Sequence, residues 1–72
     1  MKDDMNTKIG VWLSEKRKEK GMTMQEVADR LGVTKTAVHY WETGKRTIYA
    51  YQMMDYCAIV GADPEELVRD IK

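Results

Sequence analysis

Glycine stands at positions 21, 32, 44 and 61 of the 72-residue chain, each time just after a stretch whose apolar residues recur with helical spacing. Glycine takes the left-handed conformation past a helix end more readily than any other residue, so this punctuation predicts a succession of short helices. The first is expected from near Asn6 or Thr7 to Lys20, with Ile9, Trp12, Leu13 and the stem of Lys16 on one stripe. Thr23-Met24-Gln25-Glu26 then reads as a capping box opening a second helix over about 24–31 that buries Val27, Ala28 and Leu31. After a two-residue turn Thr34 caps a third helix, 34–42. A fourth covers about Ile48 to Val60. The fifth opens with Asp63-Pro64-Glu65-Glu66, which supplies a cap, a proline at the first helical position and acids at the positive end of the helix dipole. No run reads as a strand. The expected fold is all-α, a compact five-helix domain spanning residues 1–72, with no repeat or linker.

Size and composition narrow the function. A domain this small buries only about 60% of the surface of its unfolded chain, which leaves no room for a catalytic cleft beside the core. Apolar residues at 43% and charged ones at 33% exclude a disordered chain. No apolar run approaches the roughly 20 residues of a membrane span. The single cysteine, Cys57, rules out an internal disulfide, and "MKDDMNTK" lacks the apolar core of a secretory signal, so a reducing cytosolic setting, the bacterial cytosol or nucleoid, is expected. Cys57 lies in the apolar pattern of the fourth helix and reads as a buried, inert thiol. His39 is the only histidine, no pair has metal-ligand spacing, and no glycine-rich phosphate loop occurs, so the chain reads as no enzyme, with no metal, cofactor or small-molecule substrate.

The formal net charge of zero hides an uneven distribution. Residues 8–46 hold nine cations and five acids, a net +4, whereas residues 47–72 hold two cations and five acids, a net −3. Such polarity suits a domain with one face toward an anion, although a tight nucleic-acid binder usually has a pI above about 9. The cluster Lys16, Arg17, Lys18 and Lys20 is diluted by Glu15 and Glu19 and reads as a solvated face.

At about 100° per residue the third helix sorts into two sides. Ala37, Val38 and Trp41 share one, which packs inward. Lys35, Thr36, His39 and Tyr40 share the other, a set of side chains able to donate to base edges or phosphates in a groove wide enough for a helix. A short turn joins this helix to a capped predecessor, which is the layout in which a second helix enters the major groove.

The residues "KIGVWLSEKRKEKGMTMQEVADRLGVTKTAVHYWETGKR" and "YCAIVGADPEELV" resemble the Cro and lambda-repressor-like helix-turn-helix family. The ordered set that carries the resemblance is Arg17, Gly21, Thr23, Glu26, Ala28, Gly32, Val33, Trp41-Glu42, Gly44, Gly61 and Leu67. It implies that Lys35, Thr36 and Tyr40, with His39 beside them, read bases of a double-stranded operator. It also implies that Thr43, Lys45 and Arg46 contact phosphates, and that Arg17 and Glu42 form a buried structural ion pair. Met24 stands where the family often places a phosphate-contacting Gln, with Gln25 one place on; both are carried as binding candidates. Lys16 replaces a usual aliphatic residue, while Val11 and Trp12 add apolar bulk nearby.

The resemblance further implies a small phage regulator, since the chain stops after the fifth helix. A two-fold operator requires two copies about 34 Å apart, hence either a homodimer through the fourth and fifth helices or weak binding. Tyr49, Tyr51, Met53, Met54 and Ile71 offer apolar surface for it, although core packing is the expected role of the methionines and tyrosines among them. An alternative function is that of a phage modulator of repression, or anti-repressor, that binds a partner repressor's helix-turn-helix domain. Zero net charge, Met24 and the aromatic open face favour it, because interfaces use Tyr as anchors.

Overall fold

Capping chemistry written into the sequence sets where each helix begins. The computed structural model describes residues 4–71, the last by its backbone only, so the apolar surface expected of Ile71 concerns a side chain outside the described residues. Five helices follow in order: α1 (Met5–Lys20), α2 (Met24–Leu31), α3 (Lys35–Thr43), α4 (Ala50–Val60) and α5 (Pro64–Ile71), with no strand among the described residues. Glycines 21, 32, 44 and 61 all have positive φ, as their spacing predicts.

Thr23 Oγ1 accepts from the Glu26 amide at 3.1 Å while Glu26 Oε1 accepts from the Thr23 amide at 2.8 Å, so both halves of the capping box are made. Thr34 Oγ1 caps α3 by accepting from the Ala37 amide at 3.1 Å. Besides α3, which runs one residue past its expected end to Thr43, two boundaries differ from expectation. Helix α1 begins earlier than Asn6 because Asp4 supplies the cap, Oδ1 accepting from the Thr7 amide at 2.8 Å, while the Asn6 amide group donates instead to Thr47 Oγ1 at 3.0 Å. Helix α4 begins at Ala50, not near Ile48, because extended Tyr49 is its N-cap and the Gln52 side chain accepts from the Tyr49 amide at 2.9 Å. Ile48 is thereby left in the loop, packed against the core.

Every helix contributes to one core: Trp12 and Leu13 from α1, Val27 and Ala28 from α2, Val38 and Trp41 from α3, Tyr56, Cys57 and Val60 from α4, and Leu67 from α5. Ile9 and Leu31 close its edge only partly buried. Burying one large apolar side chain is worth about 1.5–3 kcal/mol, so a core of this size holds the short helices that isolated segments of their length cannot sustain.

Helix α5 is fastened to α1 by a polar seam. Trp12 Nε1 donates to Asp70 Oδ2 at 2.8 Å, and the Lys16 ammonium lies 5.5 Å over the Trp12 ring, 3.6 Å from Glu66 and 3.7 Å from Glu19. Lys16 thus sets its ammonium over the indole where an aliphatic residue would otherwise pack. Trp12 itself is buried, and Val11 next to it is exposed.

The expectation that Tyr49, Tyr51, Met53 and Met54 pack in the core fails for three of the four. Tyr49, Tyr51 and Met54 are 63%, 67% and 57% exposed; Met53 packs against the core. The inward side of α4 is filled by Tyr56, Cys57 and Val60, and that register turns positions 51 and 54 outward. The Tyr49 and Tyr51 rings stack on each other, centroids 6.3 Å apart and 13° from parallel.

Candidate recognition surface

Because Val38 and Trp41 anchor α3 in the core, its remaining sides face out. Lys35, Thr36 and His39 are exposed, Tyr40 is half-buried, and Ala37 is half-buried on the inner side. Past Gly44 the chain folds back over the helix end, with the amides of Lys45 and Arg46 both donating to the Tyr40 carbonyl, at 3.0 and 3.3 Å. That return places the Arg46 guanidinium 5.3 Å over the Tyr40 ring, itself 6.1 Å from the His39 ring. Three candidates from separate positions in the chain are therefore brought together, and exposed Lys45 lies beside them.

Other candidates sit less simply. Thr43 belongs to the last turn of α3, not to the loop after it, and its hydroxyl donates to the His39 carbonyl at 2.9 Å, so in this arrangement it has no proton to offer an anion. Gln25 is exposed in the first turn of α2, one amide hydrogen held by Asp29 Oδ1 at 2.9 Å. Met24 is half-buried and packs against the core, apart from the exposed set.

The far end of α3 is gripped from two sides. Arg17 of α1 donates from Nε to Glu42 Oε2 at 2.7 Å and from Nη2 to Glu42 Oε1 at 2.9 Å, a bidentate pair with both side chains buried. Its Nη1 donates to the Met22 carbonyl at 2.8 Å, tying in the turn toward α2. From α4 the buried Tyr56 phenol donates to Glu42 Oε2. The Leu13 carbonyl is 3.2 Å from the same phenol oxygen, but a phenol has one proton and the carboxylate is the stronger acceptor. The hydrogen bond to Glu42 raises the Arg17 pKa above its ordinary value despite desolvation. Burial first, and Glu42 second, push the Tyr56 phenol well above the usual tyrosine range. No buried side-chain nitrogen or oxygen among the described residues lacks a partner.

Sequence reasoning missed Tyr56 and Gly10. Tyr56 had a signal: a phenol on the inward stripe with Cys57 and Val60 must find a partner for its oxygen. Gly10 had a weaker one, its place inside a helix where Ala is preferred. A methyl group there would sit 2.5 Å from the carbonyl oxygens of both Trp41 and Glu42. Gly44 is equally confined: its φ is +79°, and a Cβ at that position would stand 2.7 Å from Thr7 Oγ1 and 2.8 Å from the Thr7 Cα. Backbone-to-backbone approach of α1 and the end of α3 therefore depends on two glycines.

A groove of 460 Å³ runs between α3 and α4, lined by Val33, Ala37, Trp41, Tyr49 and Gln52 with Arg46 at its rim. The Cys57 thiol is buried, and burial together with the charge of Asp63 pushes its pKa up, the opposite of what a nucleophile needs. Among the described residues no group of three or more His, Cys, Asp or Glu is placed to hold a metal ion, and no helix is long and apolar enough to cross a membrane.

A family model described as helix-turn-helix matches residues 13–67. The fold is similar to that of the clp gene regulator ClgR from C. glutamicum, at a TM-score of 0.87 and 21% identity over 93% of this chain and 87% of that one. It is also similar to the restriction-modification controller protein C.AhdI from Aeromonas hydrophila, at a TM-score of 0.78 and 26% identity over 85% of this chain and 92% of that one. Comparison with curated proteins gives no match.

Proposed function

Because the chain belongs to the helix-turn-helix family HTH_3, we propose that it is a sequence-specific DNA-binding transcriptional regulator that lays α3 in the major groove of an operator. The observation that carries this reading is the outer side of α3: Lys35, Thr36, His39 and Tyr40 face away from the core on a helix whose end is pinned by Glu42. Lys35 and Thr36, in the first turn, are the side chains that reach base edges first when such a helix enters the groove. Tyr40, carrying Arg46 over its ring, reads farther along, while Lys45 and Arg46 neutralise phosphates. Gln25 at the start of α2 makes a second backbone contact. The whole chain, 1–72, acts as one domain in the bacterial cytosol, in the manner of a phage Cro-type regulator, and pairs with a second copy so that two α3 helices meet half-sites about 34 Å apart.

The test is selection from random duplex DNA followed by a salt titration on the selected site. Each phosphate contact contributes about 0.9 to the slope of log affinity against log salt, so Lys45→Ala/Arg46→Ala should lower the slope by about 2. Failure to retain any duplex even at low salt refutes the proposal.

A second reading, a modulator of repression that binds a phage repressor's helix-turn-helix domain, is favoured by one observation: Tyr49, which lines the groove between α3 and α4, is exposed with Tyr51 stacked on it. A monomeric domain rarely leaves such anchors bare without a protein partner. A stable complex with the repressor encoded next to it, formed while this chain alone ignores DNA, supports that reading; DNA binding without the repressor removes the need for it.

A further inference from the structure

Glu42 lies in the last turn of the helix proposed to read DNA, yet its carboxylate is the meeting point of three helices. Arg17 approaches from α1 and occupies both carboxylate oxygens, and Tyr56 approaches from α4 and reaches Oε2. The Arg17 contact fixes α3 against α1 and, through the Met22 carbonyl, against the turn into α2. Tyr56 is the one side chain whose hydrogen bond to Glu42 comes from α4, and it is fully buried, so its aim is set by packing on every side. We infer that Tyr56 is a positioning residue for recognition: its phenol holds the Glu42 carboxylate, and with it the end of α3, in a fixed orientation relative to α4.

A two-pronged guanidinium fixes the carboxylate against α1, and a donor arriving from α4 ties the same carboxylate to that helix as well. Phenylalanine at position 56 would fill the same space but leave Glu42 Oε2 with the Arg17 Nε donor alone. Raised by burial, the phenol stays protonated and remains a donor throughout the physiological range. Base contacts depend on the angle of α3, whereas phosphate attraction depends mainly on charge. Loss of the Tyr56 hydroxyl therefore acts on specificity.

The binding arm of the test rests on the DNA-binding reading; the second arm does not. In Tyr56→Phe, measured well below its melting temperature, the ratio of affinity for the selected site to affinity for random duplex should fall at least about fivefold, the loss of one imperfectly made base contact, with the salt slope unchanged. A merely structural role lowers the melting temperature and leaves that ratio as in the wild type, which overturns the inference. Amide hydrogen exchange is read in parallel: Tyr40 to Thr43 should exchange faster in Tyr56→Phe relative to Val27 and Ala28 of α2. Uniform acceleration of all slow amides overturns the inference. If the wild type binds no DNA, the function proposed above fails and the exchange arm alone decides about Tyr56. If Tyr56→Phe does not fold, the wild-type spectrum decides: the Tyr56 hydroxyl proton should exchange slowly and couple to the Glu42 carboxylate, and exchange as fast as at exposed Tyr51 overturns the inference.

Discussion

Replacing Gly10 by Ala sets two effects of opposite sign against each other. Inside an exposed helix the change is favourable by about 0.8–1 kcal/mol, because Ala loses less backbone freedom on folding. Here the new Cβ would lie 2.5 Å from the Trp41 and Glu42 carbonyl oxygens and 2.7 Å from the Glu42 carbonyl carbon. Ordinary carbon–oxygen contacts begin near 3.3 Å, so α1 and α3 must separate by about 0.8 Å. The atoms met are backbone, held by the helix and by its capped end, so no side-chain rotation relieves the overlap. Overpacking typically costs about 1–3 kcal/mol, and the upper end applies to a rigid wall. Subtracting the helix-propensity gain leaves a loss of about 2 kcal/mol out of the roughly 4–11 kcal/mol expected for a domain of this length. At about 4–8 °C per kcal/mol the melting temperature should fall by about 8–16 °C. Thermal and urea unfolding followed by circular dichroism measure this. Gly21→Ala is the companion variant, since at φ +78° with no atom within 4 Å it carries only a local conformational cost. A Gly10→Ala protein that melts at or above the wild-type temperature would show that propensity wins, and the close approach of α1 to α3 would have to be abandoned as a determinant of the fold.

Three further outcomes are expected. Glu42→Ala, which strands a buried guanidinium and leaves the buried phenol only the Leu13 carbonyl, should destabilise by about 3–5 kcal/mol in urea titrations, while Arg17→Met/Glu42→Leu should recover much of that loss. Because the folded-state pKa values of Tyr56 and Cys57 are raised, the unfolded chain releases their protons first. Stability is therefore intact below the ordinary values of 9.0 for Cys57 and 10.0 for Tyr56 and declines as pH rises past each, and above pH 10 the Tyr56 share, at most about 1.4 kcal/mol per pH unit, should be missing in Tyr56→Phe. Tyr51→Glu/Met54→Glu, on the outer side of α4, should leave stability within about 0.5 kcal/mol of wild type yet abolish self-association in sedimentation, with operator affinity falling alongside; unchanged association removes α4 from the dimer contact.

What was readable in the sequence was what residues decide within a few positions of themselves. Thr23 with Glu26, Thr34, and the glycines past each helix end act over three or four residues, so the helices and their order followed from spacing alone. The inner and outer sides of α3 followed from its period, since Trp41 and Val38 leave a single solution for a short helix on a small core. The register of α4 did not follow, because a helix rich in Tyr and Met is apolar nearly all round and periodicity has little to grip. Tyr56 turns inward with Cys57 and Val60, and the partner its phenol meets there, Glu42, lies fourteen residues away and is held in its turn by Arg17. Gly10 was equally opaque: a missing side chain gives no sign of the two carbonyls that require it to be missing.

The seam between Trp12 and Asp70 makes the domain a reporter of its own opening. The two indoles sit in separate places, Trp41 beneath α3 and Trp12 under α5, and both are buried. Detachment of α5 alone would bring water to Trp12 and shift its emission to longer wavelength while Trp41 stayed dry. Intrinsic fluorescence of Trp12→Phe and Trp41→Phe variants thus separates fraying at the C-terminal helix from loosening of α3, with no dye or label added.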